Sequence, residues 1–146
     1  MSMELIETLE IIDVFDHGKP NLERIAIFVH HTCDLSEYCL ALGMPAFSGT
    51  TTPVRDHLLW FGHGFVNRGD WIIVYTASGS TTIAPANMVA GSSIQPRVIS
   101  LHWGKEHTIF QNRAVMPLLM RLSGIATLNP PAPAYQGTPE QTKRLL

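Results

Sequence analysis

The sequence predicts an all-β chain folded as a two-sheet sandwich, and three observations carry that expectation. Apolar and β-branched runs are short and are punctuated by Gly, Pro, Asn and Asp. Hardly any stretch holds a 3.6-residue apolar period over three turns, the mark of an amphipathic helix. Turn signals recur about every 8–12 residues, the spacing of a sandwich whose two inner faces pack on each other.

Glu4 to Phe15 is the one ambiguous stretch. Leu5, Leu9 and Ile12 fit one face of a helix, while Leu9-Glu10-Ile11-Ile12-Asp13-Val14-Phe15 fits a strand equally well. Asp16 to Asn21, with Gly18 and Pro20, supplies a turn. Arg24 to His30 is strongly β, Asp34-Leu35-Ser36 turns the chain, and Tyr38 to Leu42 is the next strand. A loop carrying Gly43, Pro45, Gly49 and Pro53 follows. His57 to Phe61 and Trp71 to Thr76 read as strands around a loop, Gly62 to Asp70, whose glycines and Asn67 permit positive φ. Ala77 to Pro96 is small, polar and uncharged, an excursion of the length that carries function or is pinned by a partner. Arg97 to Trp103 and His107 to Phe110 are expected to pair as a hairpin around Gly104-Lys105-Glu106. Val115 to Leu122 then precedes a turn at Ser123-Gly124 and a short strand, Ile125 to Leu128. The result is about seven or eight short antiparallel strands within a domain of residues 1–128. Beyond it Pro130, Pro131, Pro133 and Pro139 forbid strand pairing and favour extended polyproline geometry, so residues 129–146 read as an arm. Leu145 and Leu146, beside Lys143 and Arg144, form its anchoring end.

A chain of 146 residues suits one domain, large enough to bury about 70% of its unfolded surface and to fold without metal or disulfide. Charged residues make up only 15%, against about 25% in ordinary soluble domains, while hydrophobic residues reach 45%. That balance excludes a disordered polyelectrolyte and leaves a surface short of charge, suited to meeting neighbours. A net charge of −2 gives no global attraction to phosphate. A nucleic-acid role therefore needs the fold to gather Arg55, Arg68, Arg97, Lys105 and Arg113 on one face. Met1 to Asp16 lacks the basic start and apolar run of a signal peptide, and no segment reaches the roughly 18 apolar residues of a membrane span. Cytoplasmic synthesis with no membrane partner is the expectation. Cys33 and Cys39 suit free thiols in a reducing compartment, a bridge between them being the alternative.

Three segments carry a resemblance. Glu23-Arg24-Ile25-Ala26-Ile27-Phe28-Val29 and then Asp34-Leu35-Ser36-Glu37-Tyr38-Cys39-Leu40 match an opening E-x-I-x-I strand and D-L-S-G-W-x-L turn. Leu58-Leu59-Trp60-Phe61-Gly62 and Val66-Asn67-Arg68-Gly69-Asp70-Trp71-Ile72-Ile73-Val74-Tyr75 match a strand, a P-G-D turn and a further strand. Leu101-His102-Trp103-Gly104, Ile109-Phe110-Gln111-Asn112 and Ser123-Gly124 match a Y-W-G, W-n-N and closing Gly. In this order the segments resemble the lamin-tail domain family. Tyr38, Arg68, Phe110 and Ala114-Val115 stand where that family prefers Trp, Pro, Trp and Gly-Asp. The resemblance implies an immunoglobulin-like sandwich that serves as an interaction module for protein, nucleic acid or surfaces and does not catalyse.

Seven histidines raise a metal or catalytic reading: His17, His30, His31, His57, His63, His102 and His107. His30 and His31 point to opposite faces of an extended chain and cannot share an ion. His31 with Cys33, and His102 with His107 across the Gly104 turn, are the pairs that can. Neither makes a recognised ligand spacing, and no metal or cofactor is expected. Cys33 near His30 and Asp34 has the residue types of a thiol enzyme without its flanking signature. Trp71, Ile73 and Tyr75 fall on one face of their strand and Ile72 and Val74 on the other, so both faces are apolar.

Phe65 and Val66, between glycines, have no core to serve in a hairpin loop and are expected to touch a partner. Met116 and Met120, on a strand that Pro117 marks as an edge, are adaptable contact residues, with core packing as the alternative. Met88 of the uncharged excursion joins them, as do Pro130, Pro131, Pro133, Tyr135, Leu145 and Leu146 of the arm. The expected function is a non-enzymatic structural protein docking by loops and arm into a larger, symmetric protein assembly, by analogy with the accessory and decoration proteins of phage particles. A nucleic-acid-binding module is the alternative, and a histidine-dependent metalloprotein or enzyme comes third.

Overall fold

The computed structural model describes residues 5–46, 49–86 and 95–131. Its strands are β1 (Leu9–Phe15), β2 (Arg24–Val29), β3 (Cys33–Asp34), β4 (Tyr38–Pro45), β5 (Thr51–Trp60), β6 (Phe65–Val66), β7 (Trp71–Tyr75), β8 (Thr82–Pro85), β9 (Arg97–His102) and β10 (Met116–Arg121). A single 3₁₀ turn, Leu35–Glu37, joins β3 to β4. A five-stranded sheet in the order β1-β2-β7-β9-β8 packs on a three-stranded sheet, β10-β4-β5, and the short pair β3-β6 lies at one end. The chain is an all-β sandwich, as the turn spacing predicts.

Alternation places the core. Ile25, Ile27 and Val29 of β2, Ile72 and Val74 of β7, and Ile99 and Leu101 of β9 point inward and meet Tyr38, Leu40 and Leu42 of β4. Burying a side chain of this kind is worth about 1.5–3 kcal/mol, so this layer is the main source of stability. The ambiguous first segment is a strand. Pairing with β2 gives its backbone partners, and its register shifts by a bulge between Ile11 and Asp13. Of the three residues that suggested a helical face, Leu9 is buried whereas Leu5 and Ile12 are exposed. The bulge and the acids Glu10 and Asp13 also blunt this outer edge against further strand addition.

Several sequence expectations are corrected. β4 runs on through Gly43 to Pro45 and β5 begins at Thr51, so most of the expected loop there is strand. β5 and β7 do not flank a hairpin, since β5 pairs with β4 and β7 with β2 and β9. The β7-β9 pair is parallel, which departs from an all-antiparallel count, and β3, β6 and β8 raise the strand number above eight. His107 to Phe110 forms no strand and no hairpin with β9. Its amides have found a different acceptor. Ile125 to Leu128 is not a strand either, and the last strand ends at Arg121.

That acceptor is Glu23, 1% exposed at the foot of β2. Its Oε1 accepts from the Ile109 N–H at 2.7 Å and the Thr76 hydroxyl at 2.9 Å. Its Oε2 accepts from the Gly18 N–H at 2.7 Å and the Phe110 N–H at 3.0 Å. One carboxylate thus ties the β1–β2 loop, the end of β7 and the segment before β10. A buried carboxylate is costly unless its lone pairs are filled, and here four donors fill them. Phe110, held beside it, is buried in the core.

Glu23→Gln keeps the volume but replaces one acceptor oxygen by a donor, leaving buried N–H or O–H groups unanswered. Denaturant unfolding is expected to show a loss on the order of 2–4 kcal/mol. Glu10→Gln, on the solvent side of β1, is expected to change stability by less than about 0.5 kcal/mol. Equal effects of the two substitutions would contradict the role assigned to Glu23.

Candidate interaction surface

The end of the sandwich opposite Glu23 carries several exposed large apolar side chains, Trp60, Phe65 and Ile83 among them. The chain leaves β5 through Gly62 and Gly64, whose φ of +91° and +128° favour glycine, and enters β6. There Cys33 pairs with Val66 and Asp34 with Phe65, and the Leu35 N–H donates to the Gly64 carbonyl at 2.8 Å. Strand pairing forces the two neighbours to opposite sides. Val66 is 0% exposed and Phe65 is 68% exposed. Phe65 is therefore available to a partner, whereas the expectation for Val66 is corrected: it is a core residue.

A second buried carboxylate fixes this end. Asp70 Oδ1 accepts from the Arg97 N–H at 2.9 Å, and Oδ2 accepts from the Asn67 N–H at 2.8 Å and from Arg97 Nη2 at 3.2 Å. The same Arg97 Nη2 donates to the Phe65 carbonyl at 3.0 Å. Asp70 thereby sets the start of β9 beside β7 and holds the β6 loop. Charge-assisted contacts of this kind are the stronger class of hydrogen bond.

A groove of about 380 Å³ lies between Phe65 and Ile83 of β8, floored by Leu35, Phe61, Ile99 and Leu101. Ile83 is exposed. His63 stands at the rim and meets Trp60 edge-on, with ring centroids 4.9 Å apart. Trp60 Nε1 donates to the Ser36 carbonyl at 2.9 Å, so the indole's polar edge is satisfied while much of the ring stays exposed beside Leu58. The Ser36 backbone N–H, donating to Asp34 Oδ1 at 3.0 Å, holds the nearby Asp34 carboxyl below its ordinary range.

The chain's last described segment starts at the same end. Arg121 pairs with Tyr38 and Trp60 with Cys39, and the Leu122 N–H donates to the Glu37 carbonyl at 2.7 Å. Residues 122–131 are exposed throughout, with Ile125 at 80% and Leu128 at 88%. Pro130 and Pro131 are exposed as expected for an arm, but the exposed segment begins at Leu122 and not at Asn129. Met116 and Met120 are half-buried on the edge strand β10, and the Thr51 hydroxyl donates to Met116 Sδ at 3.6 Å. Met88, Pro133, Tyr135, Leu145 and Leu146 lie outside the described residues.

The alternative chemistries find little geometry. Arg97 opens β9 and Lys105 follows it, at opposite ends of the sandwich, so the basic set is not gathered on one face. Arg97 is engaged by Asp70, and Lys105 Nζ donates to His57 Nδ1 at 2.6 Å. Among the described residues no group of three or more His, Cys, Asp or Glu is placed to hold a metal. His102 stacks on Tyr75, centroids 5.2 Å apart. Cys33 and Cys39 are free thiols, and burial pushes both up, keeping them protonated and poorly nucleophilic at neutral pH. A cleft of about 470 Å³ at the Glu23 end is lined by Asn21, Ser78, Glu106, His107 and Gln111. No His–Ser or His–Cys hydrogen bond occurs among the described residues.

Sequence reasoning missed Leu58, Trp60, Ile83, Ile125 and Leu128. Ile83 lies in a run of small polar residues, and the other four sit in stretches of ordinary strand composition. Phe65→Ser is expected to leave stability within about 0.5 kcal/mol, and Val66→Ala to cost on the order of 1–3 kcal/mol, in denaturant unfolding. A large loss on Phe65→Ser would place that ring in the core instead. Comparison with known protein families, with curated proteins and with solved structures returns no match, so the functional reading rests on this geometry.

Proposed function

We propose that the chain is a non-enzymatic interaction protein that docks into a larger protein assembly through the Phe65–Ile83 end of its sandwich and through its C-terminal arm. One observation carries the reading: the exposed apolar patch and the exposed apolar arm emerge from the same end, around the 3₁₀ turn Leu35–Glu37. Isolated exposed Leu or Ile residues are ordinary on a protein surface, but exposed aromatic side chains grouped with apolar ones about a groove are characteristic of a contact. The low charge of the whole chain supports the same reading, because interface cores are depleted of charge. The assembly we favour is a symmetric particle such as a phage virion, with this protein as an accessory component.

The test is incorporation. Particles are sedimented from cells making a tagged full-length chain or a chain lacking residues 129–146. The full-length chain is expected to sediment with the particles, and the truncated chain to be reduced at least about tenfold, a loss of roughly 1.4 kcal/mol in binding. Equal sedimentation of both, or sedimentation of neither, would contradict the proposal.

A further inference from the structure

We infer that the patch end is an interface between two copies of this chain, in which each lays its Leu122–Pro131 segment into the other's groove between Phe65 and Ile83. The inference rests on the reading above and names the partner.

The arm has a period. Leu122, Ile125, Leu128 and Pro131 recur at every third residue, with Pro130 adjacent. Three residues per turn is the repeat of polyproline II, so these four side chains line one edge of such a helix, about 9 Å apart. An α-helix rotates i+3 positions progressively off a face and is further opposed by Gly124 and the prolines. Polyproline II needs no internal hydrogen bonds. Accordingly, no backbone hydrogen bond joins residues 123–131 to the described chain, and Ile125 and Leu128 stand clear of their own groove.

The groove suits such a segment better than it suits an added strand. Ala86 N–H donates to the Pro96 carbonyl at 2.8 Å, which turns Ala84 and Thr82 toward β9 and leaves Ile83 and Pro85 facing outward. Pro85 has no N–H, so Ile83 carries the sole outward donor of β8, too few for a strand to zip on. What the groove does offer is an apolar floor with Phe65 and His63 on its rim and a single guanidinium, Arg97, already engaged by Asp70. Aromatic-lined apolar grooves are where extended proline-rich segments dock, because little ordering entropy is lost.

The 3₁₀ turn joins the two halves of the device. The Glu37 carbonyl receives the Leu122 N–H, the Ser36 carbonyl receives Trp60 Nε1, and Leu35 lines the groove. Arm and groove at the same end make a self-complementary contact, which closes as a two-fold dimer; at opposite ends they would propagate as a filament.

The experiment uses the full chain. Light scattering at about 100 µM is expected to give twice the 16.2 kDa chain mass, falling to one chain mass in Ile125→Asp/Leu128→Asp, both exposed positions. In a Cys33→Ser background, an equal mixture of Phe65→Cys and Leu128→Cys chains is expected to form a disulfide between unlike copies. One chain mass for the wild type, a dimer unaffected by Ile125→Asp/Leu128→Asp, or no disulfide between unlike copies in the mixture would each overturn the inference. A monomeric chain that still needs residues 129–146 for incorporation would refute the exchange alone. An exchanging dimer whose truncation leaves incorporation intact would refute the docking role alone.

Discussion

A chain with few charges buries two of them, one at each end of the same central strand. β7 starts beside Asp70 and ends at Thr76, whose hydroxyl reaches Glu23. Each carboxylate is 1% exposed and surrounded by donors drawn from segments far apart in sequence. Apolar burial brings the two sheets together without direction, whereas these carboxylates dictate which loops meet them. Glu23 takes the amides of Ile109 and Phe110 that would otherwise seek a strand, and so positions the approach to β10. Asp70 takes the first amide and the guanidinium of β9's Arg97 and, through that guanidinium, holds the Phe65 loop.

The consequence reaches the far end of the molecule. β10 begins beyond the segment that Glu23 holds and runs antiparallel to β4 until Arg121 faces Tyr38. That course delivers the arm next to Trp60 and the 3₁₀ turn, where the Asp70 network has already set the groove. The conjunction of arm and groove thus follows from two polar anchors and one edge strand. The 15% charge content gains a location here: the groove between Phe65 and Ile83 is lined mainly by apolar and aromatic groups, and the guanidinium that lines it, Arg97, is paired with Asp70.

Much of the fold is legible from alternation alone. β2 and β7 carry β-branched residues at every second position and β9 carries Ile99 and Leu101, and this alternation puts Ile25, Ile27, Val29, Ile72 and Val74 in one core. The sequence is less informative where pairing is decided by a distant partner. Ile109-Phe110 has strand composition, but the donors go to a carboxylate 86 and 87 residues earlier. Ile125 to Leu128 also has strand composition and pairs with no strand among the described residues. β8 is a four-residue edge inside a small polar run, and its parallel neighbour pair β7-β9 has no local signature. Of the candidate site, Phe65 and the arm prolines could be read because glycines and prolines mark loops and extended chain. Val66 could not be separated from Phe65 until β6 was seen to pair with β3, which sends adjacent side chains to opposite sides.

Each buried carboxylate governs its own end of the sandwich. Amide hydrogen exchange in Glu23→Gln and Asp70→Asn tests it most directly, because exchange reads local opening residue by residue. Glu23→Gln should strip protection from Gly18, Ile109 and Phe110 while Asn67 and Arg97 stay protected, and Asp70→Asn should do the reverse. Uniform loss of protection across both ends in either variant, or no local loss in either, would contradict the claim.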